Sequence, residues 1–249
     1  MTTVSLLPLG TRSGRHQGLL ARLSVALVVY NSALNVRPPP TRVYVGVNLA
    51  ATGGLLALGR ARGLSWTELG LDPASVGPGM RQGGVVAAVT GTALAAAVAA
   101  PATRRLLLDR RVAGIGAPEL LSRMLVRVPL GTVALEEAAF RGVLLAAWAR
   151  RGTPRAAVAG SSAVFGLWHV GPTLQLLRLN APGAGAGQRL LGVAAGTAAT
   201  GLAGVGLCAL RQRGGGLIGP GLAHAAVNAL STAASFAAHR LCGRGRPSR

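Results

Sequence analysis

Residues 130–150 read LGTVALEEAAFRGVLLAAWAR. The stretch is apolar and helix-forming except at its centre, where Glu136, Glu137 and Arg141 sit. A carboxylate or guanidinium in the middle of a membrane-length helix costs roughly 2.5–3.5 kcal/mol on the insertion scale. Such residues face a bundle interior or a wet cavity, and by default they mark function. Glu137 and Arg141 are four positions apart, so they share a helical face and can pair. Glu136 points about 100° away and is left for another partner. A buried ion pair that only holds helices in register would account for Glu137 and Arg141 but not for Glu136.

The surrounding composition fits a membrane-length reading. Of the 249 residues, 50% are apolar and 13% are charged, against about 25% charged in a soluble domain. Together with several apolar runs of membrane length, this predicts an all-α fold, a polytopic transmembrane helical bundle. Aromatics make up only 3%, so Ala, Gly, Leu and Val fill the helices and close backbone approach is the expected packing mode. The net charge is +20 and comes entirely from arginine. Those arginines flank apolar runs, as in membrane proteins, so the partner they indicate is the lipid bilayer and no nucleic acid. Arginine in place of lysine, with abundant Ala, Gly and Pro, fits a GC-rich bacterial genome and a bacterial plasma membrane. Cys208 and Cys242 form no metal-binding pattern and are expected to be neither a disulfide nor a metal site.

In order, the chain predicts seven spans: residues 19–36, 43–59, 83–100, 129–150, 156–177, 190–210 and 217–238. Residues 1–18 read as an N-terminal tail before an uncleaved first span, because no A-x-A site follows the apolar run. Residues 19–118 hold the N-terminal helices and a basic loop, 119–240 a catalytic helical core, and 241–249 a basic C-terminal tail. Arg37 and Pro38–Pro40 end the first span. The loop 60–81 is expected to leave Glu68 and Asp72 solvated. Residues 118–127 are expected to form a short amphipathic helix on the headgroups. Two stripes of small residues, Gly83/Ala87/Gly91/Ala95/Ala99 and Gly192/Gly196/Thr200/Gly204, predict helix-packing faces. The arginines on the side nearest Glu136 slightly outnumber those opposite, which points that side to the cytoplasm.

Polar groups in the later spans supply candidate partners for Glu136. Phe165 and His169 are four apart and share a face, as do His224 and Asn228. At a rise of 1.5 Å per residue, Glu136 lies roughly 10 Å in from one end of its span and His169 roughly 12 Å in from the same side. The two are therefore expected to meet. Asn228 comes out roughly 15 Å in, with His224 about one turn deeper. A carboxylate beside an imidazole can deprotonate and orient a water. A second histidine and an asparagine can donate to a developing oxyanion. This set suffices for amide hydrolysis without a metal or other cofactor.

Glu136-Glu137-Ala-Ala-Phe-Arg141, Phe165-Gly-Leu-Trp-His169 and His224-Ala-Ala-Val-Asn228 resemble the EExxxR, FxxxH and HxxxN motifs of the CPBP family. This is the CAAX-protease and bacteriocin-processing (Abi) family of intramembrane glutamic endopeptidases. Three motifs in order, each inside an apolar span, cover residues 119–240. The resemblance implies that Glu136 and His169 activate the attacking water, that Glu137 and Arg141 support the site, and that His224 and Asn228 form an oxyanion hole. It also implies a peptide or protein substrate, lipidated or not, and an eight-helix core rather than seven spans. Two other readings stay open at this point. One is a zinc-dependent protease with Glu136, His169 and His224 as ligands. The other is a non-enzymatic channel, transporter or immunity scaffold.

Overall fold

A computed structural model describes residues 11–36 and 38–244. Residues 1–10, Arg37 and residues 245–249 lie outside the described residues, and with them most of the expected N-terminal tail, the Arg37 stop and most of the basic C-terminal tail. Among the described residues there is no strand. Eight helices follow in order: α1 (Thr11–Val36), α2 (Thr41–Ala61), α3 (Val76–Ala99), α4 (residues 117–149), α5 (Pro154–Trp168), α6 (Val170–Asn180), α7 (Ala186–Gly214) and α8 (Ile218–Arg244). One-turn pieces at Pro101–Arg104, Arg105–Leu107 and Arg110–Val112 form a strap between α3 and α4.

The helix ends follow local chemistry. Thr153 starts α5 by accepting from the Ala156 N–H at 3.2 Å, with Pro154 in the first turn, where its missing N–H costs nothing. Gly215, at φ 72°, ends α7 in the left-handed conformation that glycine adopts without a Cβ clash. Residues Thr41–Ala61, Pro73–Ala99 and Ala186–Gly214 are long and apolar enough to cross a membrane. Their outer faces stay uncovered by protein, with Val85, Val89, Leu190, Leu191 and Leu202 exposed. In a bilayer these apolar surfaces meet acyl chains, so the chain is an all-α, membrane-type bundle.

The interior is built where α1, α4 and α5 meet. Leu20, Leu27, Leu135, Ala139, Phe140, Leu144, Phe165 and Trp168 form one buried cluster there. The Phe140 ring stands edge-on to Phe165 at 5.1 Å and to Trp168 at 5.3 Å. The second small-residue stripe packs as expected, and the first does so over Gly83 to Gly91, while Ala95 and Ala99 are exposed. The first lets α3 lie against α8: a Cβ on Gly83 would come 2.6 Å from Leu222 Cβ and 3.0 Å from the Gly219 carbonyl oxygen. The second brings α7 against α5 and α6, with Gly192 on Leu177, Gly196 on Thr173 and Gly204 on Phe165 and Ser162. Gly83→Ala is expected to destabilise the fold by about 1–3 kcal/mol through overpacking. Gly84→Ala is the control, because a Cβ there meets nothing within 4 Å. Thermal unfolding in detergent separates the two, and equal midpoints would contradict the packing described.

Three expectations need correcting, while Glu68 stays partly exposed as expected, with Arg150 gripping both its oxygens at 2.7 Å. That hydrogen bond, with the Ser65 N–H, holds the Glu68 carboxyl down at about 2. Asp72 caps the following turn through the Ala74 N–H. Residues 118–127 do not form a separate surface helix but the first turns of the continuous α4. Nor does Pro129 begin a span: it lies inside a π-helical stretch, Arg123–Val133. The wider i→i+5 turn there accommodates a residue with no N–H to donate. The eighth helix arises because the fifth predicted span breaks at His169 into α5 and α6.

Candidate functional site

The break at His169 has a local cause. Pro172 has no N–H, so the Trp168 carbonyl four residues earlier loses its helical donor. The His169 N–H turns to the Gly166 carbonyl at 3.0 Å. The His169 ring Nδ1 lies 2.8 Å from the Phe165 carbonyl oxygen. A carbonyl only accepts, so Nδ1 carries the proton and Nε2 of the neutral ring is a lone pair. Nε2 faces Glu136 Oε2 at 4.0 Å, too long for a direct hydrogen bond.

The two glutamates lie where α4 widens again, with a second π-helical stretch over Glu137–Leu144. π-turns inside α-helices occur mostly at functional sites. Ser161 Oγ donates to the Phe140 carbonyl within this stretch at 2.7 Å. Glu136 is 5% exposed, Glu137 3% and Arg141 1%. Arg141 Nη1 donates to Glu137 Oε1 at 3.1 Å. Its Cζ stands 4.0 Å from the centre of the Phe165 ring, a cation–π contact. His224, from α8, reaches both carboxylates: Nδ1 lies 2.8 Å from Glu137 Oε1 and Nε2 lies 3.6 Å from Glu136 Oε2. The Trp168 indole N–H donates to Glu136 Oε1 at 3.0 Å. Glu136 Oε2 is buried and has no hydrogen-bond partner.

Glu136, His169 and Asn228 line one cavity of about 970 Å³. Its walls include the polar side chains of Asn31, Asn35, Thr132, Gln175 and Ser231 together with the leucines Leu94, Leu106, Leu176 and Leu177. Arg111, Arg123 and Arg127 also line it, and the first two are paired with Asp109 and Glu119. Arg127 lies over the Tyr44 ring at 4.1 Å.

Five of the six residues singled out by sequence thus form one contiguous cluster, and Asn228 joins them on the cavity wall. His224, one turn along α8 from Asn228, contacts both glutamates. Among the described residues, no group of three or more His, Cys, Asp and Glu is placed to hold a metal ion. Sequence reasoning missed Trp168, Asn31 and Asn48. Asn48 is buried on α2 and donates to the Gly131 carbonyl of α4, and Tyr30 donates to its Oδ1. A lone carboxamide inside an apolar span, or a tryptophan whose N–H must find a partner once buried, is the signal that would have flagged them.

Compared with models of known families, residues 118–230 match the one described as type II CAAX prenyl endopeptidase Rce1-like. The matched stretch contains all six candidate residues and none of α1, α2 or α3. Compared with curated proteins and with solved structures, the chain has no match.

Proposed function

From the premise that residues 118–230 belong to the type II CAAX prenyl endopeptidase Rce1-like family, which makes the chain a membrane endopeptidase, we propose that it is a metal-independent glutamic protease. It hydrolyses a peptide bond near the terminus of a membrane-bound substrate. The observation that carries this reading is the free, buried Glu136 Oε2 facing His169 Nε2 at 4.0 Å on a cavity wall. That gap suits a water held by both groups. Glu136 takes a proton from the water as its oxygen bonds to the substrate carbonyl carbon. The same proton then goes to the departing amine as the C–N bond breaks.

The tetrahedral oxyanion needs donors. Asn228 supplies its amide N–H. His224 donates Nδ1–H to Glu137, so Nε2 also donates only when the ring carries both protons. Glu137 and Arg141 act by holding His224 in place. The polar and leucine walls fit a peptide whose chain runs beside an apolar, lipid-like group. The arginine-only basic composition favours a bacterial plasma membrane, where the partners are lipid and substrate rather than nucleic acid.

The test uses purified protein in lipid vesicles with peptides bearing or lacking a C-terminal prenyl group. Cleavage is expected, it is expected to survive a strong zinc chelator, and elemental analysis is expected to find no stoichiometric zinc. Activity lost to the chelator and restored by zinc would overturn the mechanism in favour of zinc ligation by Glu136, His169 and His224.

A further inference from the structure

α1 lies outside the family-matched residues, yet it touches the break between α5 and α6 beside the candidate site. Pro172 orphans the Trp168 carbonyl, and Asn31 Nδ2 donates to that oxygen at 2.8 Å. Asn31 is buried and its amide is oriented from behind: Asn35 Nδ2 donates to both Asn31 Oδ1 and the Asn31 carbonyl at 2.8 Å. Gln175 of α6 in turn donates to the Asn35 carbonyl. The α1 backbone approaches the break closely, since a Cβ on Gly171 would meet Ser32 Oγ at 3.2 Å and Ser32 Cα at 3.5 Å. The capped residue, Trp168, donates its indole N–H to Glu136 and precedes His169.

We infer that Asn31 is a positioning residue for the Glu136–His169 pair. It replaces the hydrogen bond that Pro172 removes and thereby sets the backbone from which the Trp168 indole and the His169 imidazole both project. The inference rests on the protease reading for its catalytic consequence but not for the cap itself. A break in a helix is tolerated in a membrane when another helix satisfies the freed carbonyl. Here the satisfying group is delivered by a separate helix, α1. Without Asn31 the carbonyl is buried and unpaired, the joint relaxes, and the 4.0 Å gap between Glu136 and His169 is no longer set.

The experiment is a double-mutant cycle in the full chain, comparing Asn31→Leu, Pro172→Ala and their combination. Alanine at 172 restores an N–H that can reach the Trp168 carbonyl, so Asn31 should matter less in that background. Asn31→Leu alone is expected to lower kcat by about tenfold to a hundredfold with KM within twofold, as a misplacement of about 1 Å would. In the Pro172→Ala background the same change is expected to cost less than about threefold in kcat. Thermal unfolding in detergent reads the cap independently of turnover: Asn31→Leu should lower the midpoint by several degrees with Pro172 present and by much less without it. Equal penalties in both backgrounds, in either readout, would overturn the cap. A stability coupling with unchanged kcat in an active enzyme would overturn positioning. If the wild type cleaved nothing, the protease reading and the catalytic consequence drawn from it would fail together, while the unfolding cycle would still decide the cap.

Discussion

Glu136→Gln is expected to lower kcat by about 10²–10⁴-fold, the range removed with a general base, while leaving the fold and KM nearly unchanged. The substitution is close to isosteric. The carbonyl oxygen of the new amide can still accept from the Trp168 indole, which in the native protein donates to Glu136 Oε1 at 3.0 Å. The atom that changes is Oε2, which is buried, unpartnered and aimed at His169. An amide nitrogen there donates instead of accepting and takes no proton from a water. A purely structural role predicts the opposite pattern, a lowered unfolding midpoint with turnover kept by the molecules that remain folded. Single-turnover cleavage in vesicles, with the unfolding midpoint measured in parallel, distinguishes the two. A Glu136→Gln protein that cleaves within threefold of wild type would remove Glu136 from the chemistry.

The charge pattern of residues 130–150 pointed to the centre of the candidate site, and helical spacing correctly paired Glu137 with Arg141 and brought His169 close to Glu136. Those readings depend only on the repeat of a helix and on the cost of burying charge. What stayed hidden depends on departures from the regular helix. A uniform 100° step sends Glu136 and Glu137 to different partners, yet His224 touches both, and the glutamates lie where α4 passes into i→i+5 turns. Periodicity of apolar residues carries no mark of such a turn. The split at His169 was more legible in principle, since Pro172 sits three residues later inside an apolar run. Its consequence, an orphan carbonyl needing a donor from another helix, is a question of tertiary packing. The answer was a carboxamide in the first span, more than a hundred residues away in sequence. Short-range patterns thus located the candidate site, and the unpaired backbone groups they leave behind indicate which distant residues pack against it.

Arg141→Leu is expected to be among the most damaging single changes in the protein. The guanidinium is fully enclosed, donates to Glu137 Oε1 at 3.1 Å and lies over Phe165 at 4.0 Å. Removing it leaves Glu137 with His224 as its remaining polar partner, in surroundings from which water is excluded. Breaking a buried ion pair from one side costs about 3–5 kcal/mol. For a chain of this size that corresponds to a fall of roughly 6–20 °C in Tm. Arg141→Lys is expected to recover only part of the loss, because an ammonium point charge cannot reproduce the planar stacking on Phe165. The informative variant is Arg141→Met combined with Glu137→Leu, which replaces the pair by apolar groups of similar size. Such replacements are often neutral or stabilising, so Tm should return close to wild type. Cleavage should not return, since His224 loses the carboxylate that accepts its Nδ1–H at 2.8 Å and keeps Nε2 turned toward Glu136. Stability restored without activity would assign Glu137 and Arg141 to holding His224 for catalysis. Recovery of both in the double variant would reduce the pair to a device for joining helices and would leave Glu136 and His169 to act without it.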